Sequence, residues 1–437
     1  LFPFYIIIIH FLFLFLIPFF LLNKKTREGF FQRLGWYKSS DFKRDQSHQT
    51  NYQNHRVWFH GASAGDLLAI KPMIEELRIL SPNIQIFVST ITNSGYEMGK
   101  KQLPMADAIF YFPFDLPFAV KKALDVIQPS IIIFEYTEIW PLLITYAHKK
   151  NIPLVLTNGR FSEKRLHWYQ KMFFFLGNFL QKFSILLMRQ PEEAERALFL
   201  GAEKNSVLIT GNTKFDNLKL IVDFDRIHEL KKAFCVSDDD RIWVVGSSHE
   251  GEEKIILDTY TALKRDFHDL RLLIAPRYVE RISKIETLIT SQYSHSYQLR
   301  TSAVNEKKDI MLLDSIGELS SAYHLASLVF VGGSFVMRGG QNILEPAAAQ
   351  KPVLFGPHME NFRDAVDVLL GRGGIQVHNS EHLLKIVKDL LSKPKALKEL
   401  GVLAQETVLQ VRGASKRNAL YIQDLLAKRS RIFMDKI

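Results

Sequence analysis

The sequence predicts an α/β protein with two mainly parallel sheets in tandem, preceded by an apolar helix. Three observations carry this. Short apolar runs alternate with stretches of helical periodicity along most of the chain. The alternation breaks once, over a charged and weakly patterned segment near residues 216–240. The first 22 residues carry no charge when His10 is neutral. At 437 residues and 47% hydrophobic composition the chain is too long for one ordinary core. Two domains of roughly 150–200 residues each suit it better. Charged residues, 23% of the total, are interspersed, which points to ordered globular domains.

Taken in order, residues 1–22 read LFPFYIIIIHFLFLFLIPFFLL. As a helix they extend ~33 Å, enough to cross a bilayer core, so a membrane span is expected. Lys24, Lys25, Arg27 and Arg33 follow in a basic segment over 23–50, which keeps the remainder in the cytoplasm by the positive-inside tendency. A cleaved signal peptide is the competing reading, but the stretch shows no basic region ahead of its apolar core and no small-residue cleavage site after it.

A front domain is predicted over 51–215, with strands at Val57–His60, Ile84–Ser89, Ile109–Phe112, Ser130–Phe134, Pro153–Thr157, Ile185–Met188 and Val207–Thr210. Between the first two, Leu67, Ile70, Ile74 and Leu77 recur at helical spacing. From Lys164 to Phe183, aromatic residues mix with Lys164, Arg165, Lys171 and Lys182; an interfacial helix and a buried aromatic helix suit this composition equally. A linker is expected over 216–240. The rear domain, 241–437, carries strands at Ile242–Gly246, Leu270–Pro276, Leu328–Gly332 and Pro352–Phe355 and ends in helices. Each half is Rossmann-like, so ligands belong beyond the carboxyl ends of the strands.

Composition narrows the partners. The single cysteine, Cys235, excludes a disulfide framework and a cysteine-based metal site. A net charge of +10 suits nucleic acid, anionic lipid or an anionic small substrate. No zinc-finger spacing, basic heptad region or aromatic RNA-binding signature is present, so nucleic acid ranks last. Beside an anchor, attraction to anionic headgroups at ~1 kcal/mol per well-placed Lys or Arg is the simplest account.

The stretch VWFHGASAGDLL, Val57–Leu68, contains Gly61-Ala62-Ser63-Ala64-Gly65, which fits the G-x-S-x-G nucleophile elbow. The strand before it is the first after the anchor, whereas an elbow comes after several strands. No later histidine stands in a comparably marked setting for a triad. The small residues around Ser63, Gly65 among them, let a ligand approach the backbone, and the first N–H groups of the following helix form an anion site. Asp66 lies in the first turn, where the macrodipole stabilises its charge. Capping alone would explain Ser63 and Asp66 equally well.

In the rear half, FVGGSFVMRGGQNILEPAAAQKPVLFGPHMENFRD places a strand ending in Gly332-Gly333 before Gly339-Gly340, a helix opening at Asn342, and Glu345-Pro346. Paired glycines at a helix N-terminus suit a phosphate, and a carboxylate one turn in can accept ribose hydroxyls. Together they point to nucleotide-sugar binding of the GT-B type.

Eight separate blocks occur in order: His60-Gly61-Ala62-Ser63-Ala64-Gly65-Asp66; Glu138-Ile139-Trp140-Pro141; Asn158-Gly159-Arg160; Gly211-Asn212-Thr213-Lys214-Phe215-Asp216; Ser247-Ser248-His249-Glu250-Gly251-Glu252-Glu253; Ala275-Pro276-Arg277; Gly317-Glu318-Leu319; and the Gly332–Phe362 block. In these the sequence resembles the 3-deoxy-D-manno-octulosonic acid (Kdo) transferases of lipopolysaccharide synthesis, from Arg33-Leu34-Gly35 to the last helices.

The resemblance implies a GT-B fold of two Rossmann-like domains facing a cleft, an N-terminal anchor in the bacterial inner membrane, CMP-Kdo as donor, a lipid A precursor as acceptor, and no metal or cofactor. It implies that Asp66 is the catalytic base for an inverting transfer. Ser63, Gly65, Glu138 and Arg160 would line the acceptor side. On the donor side it implies Lys214, Ser247, Ser248, His249, Pro276, Arg277, Gly339 and Gly340 around the phosphate and the Kdo carboxylate. Gly317, Glu318 and Leu319, with Asn342 and Glu345, resemble the cytidine and ribose contacts.

The chain departs from the family at Asp66, where glutamate is usual, and at Gln341 and Tyr278, where histidine is common. Tyr136 also replaces the first of two glutamates. Two other classes stay open: a serine hydrolase using Ser63, and a non-catalytic membrane-bound receptor for nucleotide-sugars or anionic lipid.

Overall fold

The structure is a computed structural model that describes residues 2–42, 55–218, 222–237, 239–302 and 306–434. The end of the predicted basic segment and the start of the predicted front domain (43–54), and positions 219–221 and 238 of the predicted linker, lie outside the described residues. The chain divides into two compact units: one of Leu1–Asn217 with Arg412–Ile437, the other of Leu218–Val411.

The front unit is built on a seven-stranded, all-parallel sheet: β1 Arg56–His60, β2 Gln85–Thr90, β3 Ala108–Tyr111, β4 Ile131–Glu135, β5 Leu154–Gly159, β6 Ile185–Met188 and β7 Val207–Ile209. Their spatial order is β3-β2-β1-β4-β5-β6-β7. The strands read as continuous apolar runs because helices cover both faces. Trp58, Phe87, Ile132, Leu154 and Leu186 point into one buried layer, while Val57, Phe59, Ile86, Ile131, Ile133 and Leu187 point into the other. The order reverses between β1 and β4, which pair from Val57↔Ile131 to His60↔Phe134. The carboxyl ends of these two strands therefore flank the crevice where such sheets take ligands.

The rear unit repeats the plan with β8 Arg241–Ser248, β9 Leu270–Pro276, β10 Tyr297–Leu299, β11 Ile310–Leu312, β12 Leu328–Val331, β13 Val353–Phe355 and β14 Gly374–Gln376, ordered β10-β11-β9-β8-β12-β13-β14 and all parallel. Its reversal lies between β8 and β12.

Two boundaries differ from those expected. Within 216–240, residues Phe224–Ala233 form a helix of the rear unit. Arg226 pairs with Glu318, and buried Arg271 donates to the carbonyls of Phe234 and Cys235. Charge without clear periodicity looks like a linker in sequence, whereas here the charges are partners in ion pairs. The last helix, Ala414–Met434, belongs to the front unit. Its Ala419, Ile422 and Leu426 are buried with Leu67, Ile70, Ile74 and Leu77 of the helix Ala64–Leu80. Asp216 marks the crossing, its carboxylate accepting the N–H groups of Gly413 and Ser415, both at 2.6 Å.

The apolar N-terminal helix, Phe2–Leu22, is long and apolar enough to cross a membrane. Phe2, Tyr5 and Ile6 pack against the front core, and the rings of Phe13 and Phe20 lie tilted against Phe114. The opposite stripe, including Phe4, Ile8, Phe11, Phe15 and Leu22, is exposed.

Between Lys164 and Phe183 the chain forms an α-helix over Leu166–Leu176, ended by Gly177 in a conformation (φ 92°) open chiefly to glycine, and a 3-10 turn at Leu180–Lys182. One of its faces is buried and the other exposed. Tyr169 and Phe173 are buried, whereas Trp168 and Phe174 are 60% and 82% exposed.

Candidate active site

The front site begins where β1 ends. Gly61 donates to Ser89 O at 3.1 Å, and Ala62 O accepts from Thr90 Oγ1, Ile91 N and Thr92 N. These bonds tie the loop to the end of β2. Ser63, in extended conformation, is the N-cap of Ala64–Leu80. The Asp66 carboxylate accepts both the Ser63 N–H (2.8 Å) and the Ser63 hydroxyl (2.9 Å) through Oδ2. One oxygen is thus held by the cap while the half-buried residue keeps its other oxygen for additional partners. Ser63 sends its proton to a carboxylate, not to an imidazole as a nucleophile elbow requires. His60, the neighbouring histidine, is fully buried with Nδ1 against Ser89 and its ring stacked on Phe112 at 3.7 Å.

Glu138 follows β4, its Oε2 accepting from Trp140 Nε1 at 2.8 Å and lying 3.7 Å from His60 Nε2. The helix that follows, Pro141–Lys149, is capped by buried Asp115, which accepts the N–H groups of Leu142 and Leu143. Gly65 and Arg160 are exposed, with Arg160 O accepting from Thr137 Oγ1. Lys214 is exposed and its ammonium sits 5.2 Å from the centre of the Tyr136 ring.

Sequence reasoning missed Glu135. It ends β4 fully buried, accepting from Thr157 Oγ1 (2.6 Å) and Asn158 Nδ2. Asn158 also donates to Thr213 Oγ1 and accepts Thr213 N–H at 3.0 Å, and Thr213 Oγ1 donates to Ala69 O on the Asp66 helix. Burial pushes the Glu135 carboxyl up to about 8, with the Asp66 charge adding to the shift and Lys214 opposing it. A charged residue closing the run Ile131-Ile132-Ile133-Phe134 was the available signal. Tyr136 and Asn158 both take left-handed backbone (φ 58° and 50°), uncommon for non-glycine residues, beside this network.

In the rear unit, β8 bulges at Ser247 (φ 57°), whose carbonyl accepts from His249 Nδ1. Ser248 is buried, bonding Glu253 through Oγ and accepting Arg277 N–H at its carbonyl. Pro276 ends β9; Arg277 is exposed, its guanidinium 5.7 Å from the Tyr278 ring centre. Gly339 and Gly340 are buried, and a Cβ on either would strike Asn361 or Met359 within 2.3 Å. The Gly340 N–H donates to Gly333 O at 2.8 Å. Those glycines thus pack loop on loop, and the Gly340 amide expected to face a phosphate is already engaged. Asn342 caps Leu344 N–H and donates to Glu345, opening the short helix Leu344–Ala348.

A cavity of about 280 Å³ is lined by Arg226, Arg300, Thr301, Ser315, Ile316, Gly317 and Glu318. The Glu318 carboxylate is held by Arg300 through two bonds of 3.1 Å and by Arg226 at 3.3 Å. Gly317 (φ 88°) presents backbone there, and Leu319 opens the helix Leu319–Leu325.

A family model described as 3-deoxy-D-manno-octulosonic-acid transferase matches residues 28–217. The 3-deoxy-D-manno-octulosonic acid transferase of Haemophilus influenzae is 32% identical over 90% of this chain and 91% of its own length. That of Aquifex aeolicus is 29% identical over 78% and 88%. Among solved structures, the UDP-GlcNAc 2-epimerase of Neisseria meningitidis superposes with a TM-score of 0.55 at 13% identity, covering 85% of this chain and 99% of that one. A glycosyltransferase from Rickettsia africae gives 0.52 at 14%, covering 86% and 100%. At such identities the superpositions speak for the GT-B fold alone.

Proposed function

This chain belongs to the family of 3-deoxy-D-manno-octulosonic acid transferases, and from that premise we propose that it moves Kdo from CMP-Kdo to a lipid A precursor with inversion, at the cytoplasmic face of the inner membrane. The observation that carries the mechanism is the Asp66 carboxylate in the first turn of the helix after β1, beside the reversal of strand order, with one oxygen fixed by Ser63. Fixing Oδ2 aims the other oxygen without rotamer search, which is what a general base needs. It takes the proton of an acceptor hydroxyl as that oxygen attacks the anomeric carbon and CMP departs from the opposite side. On the rear unit the leaving phosphate meets Arg277 and backbone N–H groups near Ser247 and Ser248. No metal is assigned to this step; a rate unchanged by EDTA is the expected result.

Anchoring fits the exposed apolar stripe of Phe2–Leu22 and the Trp168–Phe175 surface with its neighbouring Lys164, Arg165 and Lys171.

One assay tests the proposal: incubation with CMP-Kdo and tetra-acylated lipid A precursor, following CMP release and product. Asp66→Asn should lower turnover by about 10²–10⁴-fold while CMP still binds; Asp66→Glu should preserve or raise it. Normal turnover by Asp66→Asn would remove the base assignment. A hydrolase would instead be labelled at Ser63 by a fluorophosphonate, and a receptor would bind donor without releasing CMP.

A further inference from the structure

Glu252 opens the helix Glu252–Lys264 and is fully buried. Its four lone-pair positions receive backbone N–H groups. Oε2 accepts from His249 at 2.9 Å and Gly333 at 2.7 Å; Oε1 accepts from Ser334 at 3.0 Å and Phe335 at 2.9 Å. These donors lie on two loops, one leaving β8 and one leaving β12, the strands on either side of the reversal in the rear sheet. The loops approach so closely that a Cβ on Gly332 would come within 2.6 Å of Ser247 O and 2.8 Å of Glu252 Oε2.

The bonding extends one step further on each side. Gly333 O accepts Gly340 N–H at 2.8 Å, and Ser334 accepts Gly356 N–H at Oγ (2.8 Å) and His358 N–H at its carbonyl (2.9 Å). One buried carboxylate therefore sets the register of the Ser247–His249 turn, the glycine loop and the turn after β13. A carboxylate bonding four N–H groups in a buried site makes charge-assisted bonds that a neutral side chain cannot replace.

We propose that Glu252 is a positioning residue for donor binding: without touching the nucleotide, it holds the loops after β8 and β12 in the arrangement that grips it. The inference rests on the donor assignment above. Glu252→Gln keeps the shape but turns an NH₂ toward two N–H donors; Glu252→Asp keeps the charge but loses the reach to both loops.

The test uses the full-length chain in detergent, with CMP titrated calorimetrically and steady-state kinetics varied in each substrate. Both variants should bind CMP about tenfold to a hundredfold more weakly. The KM for CMP-Kdo should rise in step and the KM for acceptor should stay put. A folded variant that binds CMP like the wild type, or one that loses only kcat with its donor KM unchanged, overturns the inference. If Glu252→Gln does not fold, Glu252→Asp decides by the same two readouts. A wild-type chain that binds no CMP overturns the donor assignment and the inference with it; wild-type binding that the variants match overturns the inference alone.

Discussion

Two carboxylates near the end of the front sheet show how far residue identity can be interpreted without coordinates. The capping role of Asp66 was legible because its surroundings are local: a small-residue turn, a serine three positions earlier and an apolar-periodic helix. Glu135 was not, because its state is set by Thr157, Asn158 and the strands packed around it. That state gives a testable sign. An unfolded glutamate titrates near 4.5, whereas burial lifts Glu135 to about 8. Between these values the folded chain holds a proton that the unfolded chain has released, so stability from this group is full below the lower value and falls as pH rises through the upper one. Glu135→Gln, uncharged throughout, should match the wild type near pH 4.5 and exceed it near pH 8.5, by an amount on the order of a few kcal/mol. Urea denaturation at the two pH values measures the gap; a gap that narrows with rising pH would mean Glu135 is ionised in the fold.

Among elements, sequence patterning found most of the longer strands, such as Leu270–Pro276 and Ile185–Met188, whose bounds agree with expectation. Those it missed, Tyr297–Leu299, Ile310–Leu312 and Gly374–Gln376, are three residues each and give only a weak period, though Val207–Ile209 and Val353–Phe355, equally short, were found. The helix Leu166–Leu176 shows the opposite limit: composition revealed an aromatic helix but not which rings face the core, since that depends on the distant residues that Tyr169 and Phe173 pack against. Its exposed side makes a prediction. Replacing Trp168, Phe174 and Phe175 with serine should reduce co-sedimentation with vesicles containing anionic lipid, with thermal stability almost unchanged, because Tyr169 and Phe173 make the buried contacts. Loss of melting temperature without loss of vesicle binding would assign those rings to the fold.

For the whole molecule, two parallel sheets were legible because alternation of strand and helix leaves few topologies. The allocation of the last helix was not, because sequence order says nothing about a chain that returns. Deleting residues 412–437 should uncover Leu67, Ile70, Ile74 and Leu77 and remove the partners of Asp216. The expected outcome is an aggregating front unit beside a rear unit that still unfolds cooperatively, measured by limited proteolysis and calorimetry. A truncated chain with an intact, soluble front unit would show that the helix is an accessory.

That returning helix also orders events in the cell. A ribosome making roughly 5–20 residues per second releases every strand of the first sheet well before the segment that covers its helix emerges. The second sheet, whose chain is continuous from Leu218 to Val411, is free to settle first. The earlier-made half must wait with a greasy flank uncovered for roughly ten seconds or more, which makes this interval the natural point for chaperones to intervene.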